Sequence, residues 1–340
     1  MNLCCEGENI REIWVNDMTE KEMKSDVEMK RVPLFIDCDT GVDDAMALLC
    51  AAKMKSFDLI GVAAVAGNVA LDKTLPNTLN VLALAGRTDV PVYKGADKPL
   101  ARPLVSAPHV HGLNGLGGVE LAPSPRKEEP ETAWDALYNA AMEHEDLVLV
   151  AVGPLTNVAK AFIKYRELPK RLAKIVIMGG AAVGGNTTPC TEFNVVTDPE
   201  AADIVFNSGV PVVMCGLDVT LKAYLTGDEL NELVKLGTPQ AIFSYQSQQN
   251  ALKYELSKGL PGICLHDPAA LFFAEDEAMF TARKAGIRVE TRGSITVGKT
   301  VTDLDSDKKM PYREHRVVLD IDREAFRERL FTLMRKYGEV

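Results

Sequence analysis

From Pro33 onward the chain alternates short apolar runs with stretches whose apolar residues recur at helical spacing. That alternation is the signature of βα units, which build a mostly parallel sheet. Apolar runs at 34–37, 59–66, 147–152, 175–178 and 210–215 predict strands. Between them, helical spacing predicts helices over 43–52, 79–85, 133–143, 158–165 and 199–207. A long polar helix over 239–257 follows, and another after His266. Runs at 288–301 and 317–321 predict a strand pair near the end, closed by an amphipathic helix over 323–336. The expected fold class is α/β and Rossmann-like: a single domain over 31–340 with a mostly parallel central sheet flanked by helices. Residues 1–30 mix both charge signs with little apolar periodicity and predict a flexible N-terminal extension.

In open α/β sheets ligands bind beyond the carboxyl ends of the strands, so the residues that finish each apolar run carry the chemistry. The first run ends in Asp37-Cys38-Asp39-Thr40-Gly41-Val42-Asp43-Asp44, the second in Gly67-Asn68 and the third in Gly153-Pro154-Leu155-Thr156-Asn157. The fourth leads through Met178-Gly179-Gly180 to Asn186, Glu192 and Asn194, and His266-Asp267 opens a late helix. No Lys or Arg occurs between Arg31 and Lys53, so the four acids of the first segment repel one another unless a cation joins them. An all-oxygen set suits Ca²⁺ or Mg²⁺ better than zinc or copper. The alternative is that Asp43 and Asp44 serve only the positive end of the following helix and that Asp37 caps the turn.

Two other readings fail on spacing. Counting Asp37 as the first position of an EF-hand loop puts Val42 and Leu48 where its glycine and glutamate belong, and no phosphate loop occurs in the chain. The glycines of 111–118 do not match dinucleotide-binding spacing and read as a flexible loop able to act as a lid.

Charge and composition narrow the partners. With 38 Lys+Arg against 48 Asp+Glu the net charge is −10, which disfavours nucleic acid. No window is apolar enough to span a membrane, and the first thirty residues lack the apolar core of a signal peptide, so the expected location is cytoplasmic. The 7 cysteines form no C-x-x-C pair and read mostly as small buried hydrophobes.

The segment from Asp37 to Asp44 resembles the N-terminal D-x-D-x-G-x-D-D signature of the nucleoside hydrolases, of the inosine-uridine-preferring type. Further blocks resemble the family in family order: Val65-Ala-Gly-Asn68, Val152-Gly-Pro-Leu-Thr-Asn157, Ile177-Met-Gly-Gly180, Glu192-Phe-Asn194, Asp198-Pro-Glu-Ala-Ala202, Gly216-Leu-Asp-Val-Thr220 and His266-Asp267-Pro268. The resemblance implies a bound Ca²⁺ and hydrolysis of the N-glycosidic bond of ribonucleosides, in a homodimer or homotetramer. It puts the metal on Asp39, Asp44, the carbonyl of Val152 and Asp267, and makes Asp39 the general base for water. It assigns Asp43, Asn68, Asn186, Glu192 and Asn194 to the ribose hydroxyls, with Met178 beside the sugar. His266 becomes the group that protonates or hydrogen-bonds the leaving base, and His111 lines the base pocket. Asp37 and Asp218 read as structural.

Some residues stay open. His266 could equally be a capping or packing residue. His109 reads as loop, while His144 and His315 lie in charged surroundings that suggest the surface. Trp14 and Trp134 are not in place to stack on a base, which leans toward inosine-uridine preference or pyrimidine acceptance. Tyr245 and Tyr254 could approach the base or pack against neighbouring helices. The rival reading is a haloacid-dehalogenase-like, Mg²⁺-dependent phosphatase with Asp37 as nucleophile; a third is a nucleoside-binding protein without turnover.

Overall fold

In the computed structural model, which describes residues 31–305 and 314–339, the first apolar run becomes strand β1 (Val32–Cys38). Leu34, Ile36 and Cys38 join one apolar cluster and Phe35 the other, so both faces of the strand are covered. The extension expected over 1–30 lies outside the described residues.

From β1 the chain builds outward on one side with β2 (Phe57–Ala64), β3 (Val92–Lys94) and β4 (Glu129–Thr132). It then returns to the other flank of β1 with β5 (Val148–Ala151), β6 (Lys174–Met178) and β7 (Val212–Cys215). All these pairings are parallel. The reversal at β1 and β5 opens a crevice at the strands' carboxyl ends, the switch point where such sheets bind ligands. A two-stranded ribbon of β8 (Tyr224–Leu225) and β9 (Ile263–Cys264) lies apart. The far edge holds β10 (Phe280–Val289), β11 (Thr300–Asp303) and β12 (His315–Ile321). There β12 runs parallel to β7, and β10 and β11 add antiparallel.

The run at 288–301 is therefore not one strand. It spans the end of β10, a turn in which Glu290 Oε1 accepts the N–H groups of Arg292 and Gly293, and the start of β11. β3 and β4 escape sequence reading because they are short and partly polar.

Helix α1 (Val42–Ala51) is buried along its whole length. Helix α2 (Leu71–Leu84) starts well before the predicted residue 79 and carries Pro76 inside it. Its buried face, with Thr74 Oγ1 donating to the Val65 carbonyl at 2.8 Å, outweighs the cost of the proline. The remaining helices are α3 (Pro108–His111), α4 (Ala133–Glu143), α5 (Thr156–Lys164), α6 (Phe193–Thr197), α7 (Pro199–Phe206), α8 (Leu217–Thr220), α9 (Gly227–Val234), α10 (Pro239–Ser247), α11 (Gln249–Ser257), α12 (His266–Glu275) and α13 (Arg323–Arg335). Helices α1, α2, α12 and α13 cover one sheet face; α4, α5 and α7 cover the other. From Val32 on, the chain is a single α/β domain with a mostly parallel central sheet.

The predicted helix over 239–257 is broken in two at Gln248, which is fully buried and donates from Nε2 to the Val42 carbonyl at 2.8 Å. His315 also departs from expectation. It is 2% exposed at the head of β12, where Nδ1 accepts the Val212 N–H at 3.2 Å. Charged neighbours in sequence misled because alternate strand residues face opposite sides.

Candidate active site

Asp39 follows β1 directly and is wholly buried. Its Oδ2 accepts the main-chain N–H of Asn68 at 2.6 Å, whereas its Oδ1 is buried with no hydrogen-bond partner among the described residues. Two glycines let the neighbouring strand ends close on this carboxylate. A Cβ at Gly67 would fall 2.1 Å from Oδ2, and one at Gly153 would fall 2.7 Å from Oδ1. Asp44, in the first turn of α1, reaches back over the loop: Oδ1 accepts the Asp39 N–H at 3.1 Å, and Oδ2 the Gly41 N–H at 2.9 Å. The Asn68 side chain also donates to Asp44 Oδ2, at 3.0 Å.

Asp267 arrives on the first turn of α12. One carboxylate oxygen from each of Asp43, Asp44 and Asp267 lies within 4.8 Å of the others. Burial, and then the charge of Asp44, hold the Asp39 and Asp43 carboxyls well above the usual range. Burial followed by the charges of Asp43, Asp44 and Asp39 does the same to Asp267. Burial raises Asp44 too, against the opposing Gly41 N–H. Such a group stays ionised only around a positive charge. The orphaned Asp39 Oδ1 and the all-oxygen donors fit a hard cation. The Val152 carbonyl, at the end of β5, accepts Asn194 Nδ2 at 2.7 Å and keeps a second lone pair.

Above the acids opens a cavity of about 530 Å³. Asp43, Asn68, Val152, Asn194 and Asp267 line it, together with Met178, Glu192, His111 and His266. Asn186 stands exposed at the rim, its Oδ1 accepting the Phe193 N–H at 3.0 Å. The residues that the resemblance assigned to metal, sugar and base thus line one cavity or, as Asp39 and Asp44 do, lie buried beneath it. Asp37 and Asp218 are bound elsewhere: Asp37 Oδ2 accepts Asn157 Nδ2 at 2.7 Å, and Asp218 takes the N–H groups of Ala182 and Val183.

Glu192 caps α6 and is fixed by three main-chain donors, from Gly180 at 2.8 Å, Asn194 at 2.9 Å and Val195 at 3.1 Å. Burial nevertheless pushes its carboxyl up to about 7. Asn194 is held in turn by its bonds to the carbonyls of Val152 and Met178. Burial keeps two of the cavity histidines, His111 and His266, neutral at pH 7. His111 accepts the Val42 N–H on Nδ1, and burial, helped by His266 and His109, pushes it down to about 3. His266 shares a 2.8 Å hydrogen bond between Nδ1 and Thr220 Oγ1, and burial pushes it down to about 4.

The opposite wall comes from α11 and β9. Of the two tyrosines weighed in the sequence, Tyr254 lines the cavity and Tyr245 packs against the core. His109, expected as loop, stands on α3 with its ring edge-on to Tyr254 at 5.3 Å. Gln248, Glu255, Lys258 and Cys264 also face the cavity and carried no recognisable sequence signal. Thr220 could have been found, since it closes the Gly216-Leu-Asp-Val-Thr220 block. Trp134 is outside the wall, under Lys160 Nζ at 4.1 Å.

The model of the inosine-uridine preferring nucleoside hydrolases matches residues 34–328. The chain is 39% identical over 308 residues to a pyrimidine-specific ribonucleoside hydrolase RihA of Photobacterium profundum, covering 90% of this chain and 99% of that one. Among solved structures, a purine-preferring ribonucleoside hydrolase from Gardnerella vaginalis superposes with a TM-score of 0.85 at 36% identity, covering 90% of this chain and 99% of its own. The plant nucleoside hydrolase PpNRh1 also gives 0.85, at 32% identity over 89% of this chain and 99% of its own.

Proposed function

Because this chain belongs to the inosine-uridine preferring nucleoside hydrolase family and is a nucleoside N-ribohydrolase, we propose that it is calcium-dependent, that Asp39 is its general base, and that pyrimidine ribonucleosides are its preferred substrates. The observation that carries the reading is the bare Oδ1 of Asp39 within a buried group of acids beneath the cavity. Asp39, Asp44, Asp267 and the Val152 carbonyl would hold Ca²⁺. Bound there, it would orient the sugar's 2′ and 3′ hydroxyls and acidify water only weakly.

The remaining work falls to the protein's own groups. Breaking the C–N bond leaves positive charge on the anomeric carbon, and preorganised oxygens of Asp43, Asn68, Asn186, Glu192 and Asn194 stabilise a sugar held among them. Met178 packs beside the ring, and His111 faces the base. Asp39 takes the proton of the attacking water, a contribution of roughly 10²- to 10⁴-fold. With Thr220 donating to Nδ1, the neutral His266 carries its proton on the other ring nitrogen and donates a hydrogen bond from it to the departing base, which takes its proton from water.

Pyrimidine preference is supported by the RihA relative and by the position of Trp134 away from the cavity. A role in nucleoside salvage or catabolism, a cytoplasmic location and a homodimeric or homotetrameric state complete the proposal. The phosphatase alternative is not supported. Its nucleophile, Asp37, is absent from the cavity wall and held by Asn157, and among the described residues Lys258 is the sole Lys or Arg of the lining. The test incubates the protein with uridine, cytidine, inosine, adenosine and guanosine separately and assays free ribose. Faster release from the pyrimidines is expected; binding of all five without ribose release would favour a silent binding protein.

A further inference from the structure

Three side chains in the cavity wall are unused by the reaction just described or serve it only in part. Glu255 comes from α11, Cys264 from β9, and His266 from the start of α12. Each offers one ligand atom, and the three atoms lie within 4.8 Å of one another. All three residues face the cavity. Local chain geometry explains the meeting. Cys264 and His266 are separated by one residue as the chain leaves a strand, and extended backbone sends such side chains to the same side. Glu255 is brought in from the neighbouring helix by its Oε2, which accepts the Cys264 N–H at 2.6 Å.

We propose that Glu255, Cys264 and His266 form a second metal site, distinct from the aspartate cluster, which takes Zn²⁺ or a similar borderline-soft divalent cation and thereby inhibits the enzyme. The donor set is one sulfur, one imidazole nitrogen and one carboxylate oxygen, the chemistry zinc prefers and calcium does not. The ligands are also brought together before any cation binds. Glu255 is 8% exposed, and its carboxylate is held against Cys264 by the main-chain N–H that Oε2 accepts. The Cys264 thiol lies 3.9 Å from the Leu221 carbonyl and donates to the Glu255 carboxylate, a contact that a cation bound between the two would replace. Thr220 orients the imidazole, as outer partners do around metal-bound histidines.

Three protein ligands leave a fourth position of a tetrahedral zinc open toward the cavity. On binding, Cys264 loses its thiol proton to solvent and the thiolate bonds to the metal, with no change of oxidation state. The cation then occupies the ring of His266 and the space beside it. Inhibition competitive with nucleoside follows, and this consequence rests on the role of His266 proposed above; the metal site itself does not.

The test uses the full-length protein in excess Ca²⁺, so that the aspartate cluster is saturated, and Co²⁺ as a spectroscopic stand-in for Zn²⁺. Without substrate, a thiolate-to-cobalt charge-transfer band should appear and be displaced by Zn²⁺. The band should vanish in Cys264→Ser, with Cys264→Ala as the second variant should the serine disturb folding. Loss of this ligand should weaken Zn²⁺ by at least the 10- to 100-fold typical of losing an outer partner. In the hydrolysis assay, Zn²⁺ should raise the apparent KM of the native protein, and Cys264→Ser should keep basal turnover while tolerating correspondingly more Zn²⁺. Absence of the band, or its persistence in both variants, overturns the site. Equal inhibition of native and variant protein by Zn²⁺ overturns the inhibitory role.

Discussion

The main-chain N–H of Asn68 donates to Asp39 Oδ2 at 2.6 Å and so fixes one carboxylate oxygen while the other stays bare. The contact joins the end of β1 to the segment following β2, strands that pair in parallel register. The acid is thus aimed by the sheet itself rather than by a mobile loop.

Asp39→Asn keeps the shape of the side chain and removes its capacity to take a proton. Turnover should fall by about 10²- to 10⁴-fold, the range of general-base catalysis, and Ca²⁺ affinity should drop as well. Steady-state kinetics and calorimetric titration check both effects. Near-native hydrolysis by this variant would mean that the base lies elsewhere.

Gly153→Ala would place a methyl carbon 2.7 Å from Asp39 Oδ1. Either the β5 end or the carboxylate must shift, and a displacement approaching 1 Å at a reacting group costs on the order of 10²-fold. Overpacking of this kind destabilises by about 1–3 kcal/mol. Activity should therefore collapse in a protein that still unfolds cooperatively, which kinetics and thermal melting together reveal.

His266→Ala should slow substrates unequally. Removal of a hydrogen-bond donor to the leaving group matters most where the departing base is poorly stabilised as an anion. Ribosides with activated, acidic leaving groups should lose little, and natural nucleosides much more. A uniform loss across the series would instead indicate a binding role.

Acidity and the cation should act together on stability. Burial pushes Asp37 and Glu192 up to about 7, and Asp39, Asp43 and Asp267 stand well above the usual range. The folded state thus holds protons that the unfolded chain has released, and stability falls as pH rises through 7. His111 and His266, pushed down to about 3 and 4, work the other way but only below their unfolded pKa of about 6.5. Chelated protein should therefore melt at a lower temperature at pH 8 than at pH 6.5, and Ca²⁺ should raise the Tm more at pH 8. Melting curves at the two pH values, with and without chelator, decide it.

The sheet and the acidic segment were legible because their signals are local. Apolar runs marked β1, β2, β5, β6 and β7, and polar residues at their ends marked the crevice. What escaped depended on contacts far apart in sequence. The break in the polar helix lies at Gln248, whose partner is the Val42 carbonyl. The early start of α2 rests on packing that overrides Pro76, and the burial of His315 on its partners Val212 and Phe206. Glu255 and Cys264 belong to no recognisable motif, and only the meeting of α11 with β9 brings them to the cavity.

We propose above that the buried acids of two segments, joined by the Val152 carbonyl from a third, hold a cation that hydrolysis requires. The most direct test is ribose release from uridine by protein freed of metal with a chelator, then supplied again with Ca²⁺. Activity should disappear on chelation and return with Ca²⁺, but not in Asp39→Asn. Undiminished ribose release from metal-free protein would contradict the account.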